Sequence, residues 1–217
     1  MVTSRKILTL VILLIPAIAL QAQTTAGGKS DIFRTLYVPR DRTVEFTGGV
    51  TVPLSHQALK EFWTRGPSAG VLFLGRATSY VKFGIGGEAS LFSFRRGMFA
   101  LAYPGVTTQA KDLATVYLYL ALRNYLKPGL RMSPYVGLDV GVLRVTGAEY
   151  KEIINGVRAT YYEIPGMSRL AGSVSLGGDY YLSRRVALLL QGRALYVFND
   201  PNTGFLLSAH AGVRLTL

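Results

Sequence analysis

The chain contains no cysteine, and only 17% of its 217 residues are charged. Without cysteine it can form neither a disulfide framework nor a thiolate metal site, and it cannot be lipid-anchored through an N-terminal cysteine. Beyond residue 20, no stretch reaches the roughly 18 uninterrupted apolar residues that indicate a membrane-spanning helix. Apolar residues nevertheless make up 49% of the chain, which is unusual for a soluble domain with so little charge.

The first 22 residues have the pattern of a secretory signal peptide. Arg5 and Lys6 supply the positive start, an apolar run follows over 7–20, and small residues allow cleavage after Ala22. An uncleaved anchor is disfavoured because the run is interrupted by Pro16 and is shorter than the roughly 20 residues that a spanning helix needs. We predict a signal peptide over 1–22, a linker over 23–42 and a single domain over 43–217.

From Thr43 onward, the chain consists of segments in which apolar and polar residues alternate. In the last segment, 205–217, apolar Leu207 and Val213 share one face, while Ser208 and Arg214 share the other. A period of two residues indicates a β-strand with one apolar and one polar face. The pattern predicts eight strands, over about 43–52, 69–77, 80–92, 113–126, 133–146, 169–182, 186–198 and 205–217.

The connections between these strands alternate in length. Those at 78–79, 127–132 and 183–185 are short, whereas those at 53–68, 93–112 and 147–168 are long, and 199–204 is intermediate. Short turns at one end and long loops at the other are typical of an outer-membrane β-barrel. We therefore predict an all-β fold, an eight-stranded antiparallel transmembrane β-barrel, because only a closed barrel satisfies every backbone group of a sheet in lipid.

A soluble lipocalin-like barrel also has eight strands, but its apolar faces point inward. The sequence favours the membrane barrel because the polar faces are rich in Gly and Ser, which suits a narrow interior. These faces also carry charges of both signs, which can pair there. The aliphatic faces, such as 114–122 and 136–142, have no polar residue to interrupt them. We therefore expect the apolar faces to contact lipid and the polar faces to line the lumen.

The polar faces contain several ionisable residues. We predict a lumen polar network formed by Lys82, Glu88, Arg123, Asp139, Asp179, Arg193, His210 and Arg214. An eight-stranded barrel is just wide enough for side chains, so these charges should pair and fill it. A narrow ion path and a ligand pocket are the alternatives.

The C-terminal segment carries a resemblance to a known family. His210, Gly212, Leu215 and Leu217 match the spacing of the barrel-assembly signal of outer-membrane proteins, with Leu217 in place of the commoner terminal Phe. Together with the eight strands, this segment resembles the OmpA/OmpX-like and PorT-like small β-barrel proteins over 43–217. The resemblance implies the outer membrane of a Gram-negative bacterium, a periplasmic linker and recognition by the barrel-assembly machinery.

The formal charge of +12 raises the question of an anionic partner. Nucleic acid is disfavoured for an exported chain, whereas outer-membrane lipid, and lipopolysaccharide phosphates in particular, suit the cations of the long loops. Those loop cations are Lys60, Arg65, Arg95, Arg96, Lys111, Lys151 and Arg158. Aromatic residues near the strand ends, including Trp63, Phe92, Phe94, Tyr125 and Tyr180, are interpreted as interface girdles.

Little in the sequence suggests catalysis. Ser208 and His210 lie two residues apart and face the same way, as in an imagined lipid A hydrolase, but no carboxylate motif surrounds them. His56 has no companion metal ligand, and we expect neither a metal nor a cofactor. The leading hypothesis is a non-enzymatic protein with a structural or surface-interaction role through its long loops. A channel or transporter for small solutes or apolar molecules comes second, and a lipid A-modifying enzyme third.

Overall fold

The chain folds into a closed antiparallel barrel. The computed structural model describes residues 42–54, 63–94, 106–110, 112–128, 131–154, 157–164, 166–198 and 204–217. Three further strands form a separate sheet. The barrel strands are β1 (Arg42–Pro53), β2 (Gly66–Arg76), β3 (Val81–Phe92), β5 (Leu113–Tyr125), β6 (Met132–Val145), β9 (Met167–Tyr181), β10 (Val186–Val197) and β11 (Phe205–Thr216).

The first and last barrel strands pair with each other and close the barrel. Val44 lies opposite Leu215, and this antiparallel register continues to Pro53 opposite Leu206. On its other side β1 pairs with β2, so every barrel strand has two neighbours. Closure leaves no open sheet edge, which is the condition for a sheet in lipid.

These eight strands confirm the predicted fold class, and their bounds lie within three residues of the predicted ones. Arg42, the last residue of the predicted linker, instead begins β1. The signal peptide and the rest of the linker lie outside the described residues. Among the described residues, no helix is long and apolar enough to cross a membrane.

The two ends of the barrel differ. Arg42, Leu217 and the short connections at 77–80, 126–131 and 182–185 lie at one end, here called the short-turn end. The long connections at 54–65, 93–112 and 146–166 lie at the other, here called the loop end. The loops contain structure that the sequence pattern missed: β4 (Val106–Ala110), β7 (Ala148–Ile154) and β8 (Val157–Ile164) form a three-stranded sheet in the order β4-β7-β8.

The outer surface of the barrel is apolar. Leu120 and Leu190 are 62% and 70% exposed, although both lie in the middle of long strands. The same exposed faces carry Phe73, Phe83, Ile85, Leu118, Val140, Val142, Leu170, Leu176, Leu188 and Val213. Such a continuous apolar surface is stable only against lipid, so the lipocalin-like orientation is wrong for this chain. Strands of 11 to 15 residues meet the roughly 9–11 that a tilted strand needs to span a bilayer.

Apolar side chains also fill the lumen at the loop end. This loop-end cluster consists of Trp63, Phe92, Phe94, Leu113, Leu143, Leu195, Val197 and Leu206, all of which are buried. Trp63 and Phe94 pair through an isolated β-bridge, and their rings meet edge to face at 5.8 Å. The girdle interpretation is therefore wrong for Trp63, Phe92 and Phe94, and also for Tyr125, because all four side chains are buried. Tyr180, 40% exposed, does lie on the outer face.

Candidate functional site

The middle of the lumen holds a buried ion-pair network. Arg123 on β5 donates to Asp139 on β6, with Nη1 2.8 Å from Oδ1, and both side chains are fully buried. Asp139 also accepts from the hydroxyl of Ser173 at 2.7 Å and pairs with Arg193, whose Nε lies 3.4 Å from Oδ2. One carboxylate therefore joins two arginines from different strands.

Arg193 extends the network across the lumen to β3. Its guanidinium forms an ion pair with Glu88 and donates to the hydroxyl of Tyr119 at 3.2 Å. His210 lies 3.4 Å from the Glu88 carboxylate, and its Nε2 lies 2.9 Å from the Ser68 hydroxyl. The barrel wall brings these residues together because each occupies an inward position of its strand.

A second ion-pair group lies nearer the short-turn end. Arg214 on β11 pairs with Asp179 on β9 and with Glu45 on β1, its Nε lying 3.0 Å from Oε1 of Glu45. All three side chains are buried. Sequence reasoning missed Glu45, although the alternation signals it, since it lies next to Phe46, which is exposed on the outer face. With Glu45 included, three buried arginines face four buried carboxylates and His210.

Tyrosine rings connect the two ion-pair groups. The Tyr135 ring lies 5.4 Å from the Arg123 guanidinium and 5.9 Å from that of Arg214. Its hydroxyl bonds to the Gln191 side chain at 2.9 Å. In the amide orientation that satisfies both groups of Gln191, its oxygen accepts from Arg193 at 3.2 Å and its nitrogen donates to the Tyr135 hydroxyl. The charged and aromatic groups thus form one continuous packed unit.

Glycines make room for these tyrosines. A Cβ on Gly86 would lie 2.7 Å from Cζ of Tyr119, and one on Gly177 would lie 2.6 Å from Cζ of Tyr135. Neither ring can move far, because both are packed in the buried lumen. The Gly-rich polar faces of the sequence therefore have a specific use, since each of these glycines lies directly opposite its tyrosine on the neighbouring strand and lets the ring lie over the backbone.

Lys82 occupies a different position from the rest of the predicted network. It is half-buried on β3 at the short-turn end and lies at the mouth of the barrel. Its ammonium lies 5.5 Å from the Tyr125 ring, and the Arg214 guanidinium lies at the same distance from that ring. Tyr125 thus contacts both the mouth and the buried ion pairs.

The serine and histidine of the lumen do not have the geometry of a hydrolase. Ser68 and Glu88 both approach the same nitrogen of His210, Nε2. In a catalytic triad the nucleophile and the carboxylate contact different ring nitrogens. One nitrogen accepts the proton of the nucleophile, while the N–H of the other donates to the carboxylate. Ser208, buried on β11, lies opposite Arg193 in the strand register. Both serines and His210 are packed among the buried side chains of the lumen.

The residues that match the assembly signal all lie in or next to β11. His210 is buried and Gly212 shares its inward face, whereas Leu215 and Leu217 are 37% and 78% exposed. Leu217 extends the ladder, because its amide donates to the Arg42 carbonyl at 2.8 Å.

Comparison with solved structures identifies the fold. The chain is similar to Neisserial surface protein A, NspA, with a TM-score of 0.52 and 15% identity over 81% of this chain and 97% of that one. It is also similar to the outer membrane protein OprG from Pseudomonas aeruginosa, with a TM-score of 0.56 and 12% identity over 82% and 96% of the two chains. A major outer membrane protein from Thermus thermophilus gives 0.56 and 12% over 82% and 99%.

No protein-family model and no curated protein sequence matches the chain. At these identities the structural similarity concerns the fold, and the predicted outer-membrane location agrees with the OprG and Thermus proteins. The closed eight-stranded antiparallel barrel, the apolar exterior and these neighbours give one conclusion. The chain has the fold of the small outer-membrane β-barrels.

Proposed function

We propose that the protein is a non-enzymatic outer-membrane barrel of a Gram-negative bacterium that presents a structured loop surface to the cell exterior. The observation that carries this proposal is the contrast between the two parts of the molecule. The lumen is filled by ion pairs and apolar side chains, whereas the long connections contain a sheet of their own. A filled barrel suits an anchor, and function then lies in the loops.

The packed lumen argues against the channel alternative. Arg123, Asp139 and Arg193 occupy its middle, and the loop-end cluster fills the lumen above them. A permeating ion would have to separate buried ion pairs, each of which is costly to break. We therefore favour a closed barrel over a path for small solutes or apolar molecules.

Lipopolysaccharide is the partner that the loop-end charges suit best. Arg144, on the outer face of β6 at the loop end, is exposed and lies within 3.5 Å of the Ser168 hydroxyl. Arg65 is exposed as well, whereas Lys151 is half-buried and pairs with Glu149 at 3.3 Å. Phosphates of the outer leaflet would meet such cations just beyond the apolar band. Lys60, Arg95, Arg96 and Lys111 lie outside the described residues.

The barrel-assembly machinery is the second proposed partner. During assembly, β11 has an edge not yet paired with β1, and its outward Leu215 and Leu217 would be available for recognition. Replacing Leu217 with Asp should reduce insertion in cells while leaving refolding in detergent largely intact. Equal insertion of the variant and the wild type would contradict this role.

Planar-bilayer recording tests the closed-barrel part of the proposal. The purified chain, shown to be folded by a gel mobility that shifts on boiling, should give no stable conductance. Glu88→Ala should lower stability without opening a channel, because the neighbouring side chains still fill the lumen. A large, stable conductance of the wild type would overturn the proposal in favour of the channel.

The loop surface is tested by binding. A variant in which 148–164 is replaced by a short Gly-Ser turn should still fold as a barrel but lose affinity for lipopolysaccharide. Arg144→Gln should give a partial loss, and Arg42→Gln, at the opposite end, is the matched control. Unchanged lipid A after deletion of the gene is the expected result for a non-enzymatic protein, and altered acylation would support the enzyme instead.

A further inference from the structure

The short-turn mouth of the barrel contains an open cavity, here called the vestibule, of about 400 Å³. It lies between the ends of β2, β3, β5, β6, β9 and β11 at the short-turn end of the barrel. Tyr125 belongs to its wall and separates it from the buried Arg214. The vestibule is therefore distinct from the ion pairs that fill the lumen.

The wall of the vestibule carries charge of one sign. Arg76, Lys82 and Arg184 line it, together with Arg131, whose guanidinium also lies 5.1 Å from the outward Tyr180 ring. None of the described residues that line the cavity carries a side-chain carboxylate. The carboxylates nearest in the chain's inward register, Glu45 and Asp179, are already bound to Arg214.

Hydroxyl groups complete the wall. Ser79, Ser133, Ser183 and Thr216 line the cavity with Tyr125 and Tyr181, and Pro128 is the apolar exception among the described lining residues. Guanidinium and ammonium groups supply charge, and hydroxyls supply further hydrogen bonds, which is the combination that phosphate oxygens require. Low-dielectric barrel walls around a mouth of one charge sign also concentrate counter-ions there.

We infer that the vestibule binds a phosphate group, or a small anion of similar charge, at the short-turn end of the barrel. The group can be carried by a soluble molecule or by a phospholipid headgroup of the adjacent leaflet. Both have the same chemistry, and both reach this end without crossing the filled lumen. The inference is independent of the loop surface, because it concerns the opposite end of the molecule.

Inorganic pyrophosphate is a suitable probe for the first test. The purified chain, folded in an uncharged maltoside detergent, is titrated calorimetrically. We expect saturable binding that weakens as the salt concentration rises. The double variant Arg76→Gln and Lys82→Gln should lower the affinity for pyrophosphate about tenfold or more. Arg184→Gln, in the turn 182–185, is a second variant that removes a vestibule charge without touching a buried group. Arg169→Gln, exposed at the loop end, is the matched control and should bind like the wild type.

The source of the phosphate is separated by repeating the titration in lipid nanodiscs. Equal pyrophosphate affinity in phosphatidylglycerol and phosphatidylcholine discs supports a soluble ligand. Weaker affinity in phosphatidylglycerol discs than in phosphatidylcholine discs supports a phospholipid headgroup that competes with pyrophosphate for the vestibule. The inference is overturned if folded wild-type chain binds no pyrophosphate in detergent, or if the vestibule variants bind as tightly as Arg169→Gln.

Discussion

Arg123 and Asp139 face each other across neighbouring strands at 2.8 Å, and neither side chain is exposed to solvent. Asp139 is at the same time the partner of Arg193 and of Ser173. A carboxylate that neutralises two arginines in a closed space cannot be removed without leaving charge uncompensated. The stability of the barrel interior should therefore depend strongly on this one residue.

Replacing Asp139 with Ala should destabilise the barrel by about 3–5 kcal/mol, because Arg123 and Arg193 would remain buried without it. The free energy of unfolding can be measured by urea titration in phospholipid vesicles. The fluorescence of Trp63, the single tryptophan of the chain, reports the loop-end cluster.

Glu149→Ala is the matched control for that experiment. It removes the carboxylate of a partly exposed ion pair with Lys151, so about 0–1 kcal/mol is expected. Similar losses for Asp139→Ala and Glu149→Ala would show that the lumen network contributes no more than a surface pair.

Glu45 and Arg214 should be energetically coupled. Glu45→Gln leaves Arg214 with Asp179 alone, whereas Arg214→Met leaves two buried carboxylates without their cation. In the double variant, the loss should be smaller than the sum of the two single losses by about 0.5–3 kcal/mol. The measurement is a double-mutant cycle from urea unfolding. Glu45→Gln combined with Val197→Ala, at the loop end, should be additive.

Adding one methyl group to the lumen wall should be costly where a tyrosine covers a glycine. Gly86→Ala and Gly177→Ala should each destabilise by about 1–3 kcal/mol, because the new Cβ overlaps the ring of Tyr119 or Tyr135. Gly192→Ala, whose Cβ would meet nothing within 4 Å, should be neutral or slightly stabilising. Thermal unfolding, followed by the gel shift on boiling, distinguishes the three variants.

The outer face should show the depth dependence of a lipid-exposed wall. Leu120→Arg, in the middle of β5, should cost about 2–4 kcal/mol in vesicles, because the charge lies near the bilayer midplane. Leu126→Arg, similarly exposed but at the short-turn end, should cost about 0–1 kcal/mol. Equal costs at the two positions would argue that the apolar band does not match the bilayer.

Much of this fold could be predicted from the local alternation of apolar and polar residues. The alternation shows that Leu118 and Leu120 face outward and that Asp139 and Arg193 face inward, so the strands and their orientation could be predicted. The lumen partners could not, because which carboxylate meets which arginine depends on the strand register and the barrel's stagger. Lys82 shows this limit. It shares the inward face of β3 with Glu88, yet Lys82 lies at the mouth of the barrel while Glu88 pairs with Arg193.

Aromatic residues were the harder group to place from sequence. Trp63, Phe92 and Tyr125 stand near strand ends, as interface residues do, but their side chains are buried in the lumen. The three-stranded loop sheet was missed for a related reason. Its strands, β4, β7 and β8, are short and lie within connections whose length alone carries no strand signal.

The pairing of β1 with β11 determines when the structure can be completed. Glu45 and Arg214 are 169 positions apart, so their ion pair belongs to the contacts of longest sequence separation in the chain. Forming it requires nearly the entire polypeptide, and the entropy of closing so long a loop is lost before the contact is gained. We expect slow folding with closure as the final cooperative step, since high contact order retards folding. Until that step, Glu45 and Arg214 each lie on an unpaired strand edge, and the ion pair between them forms only when β1 and β11 close the barrel.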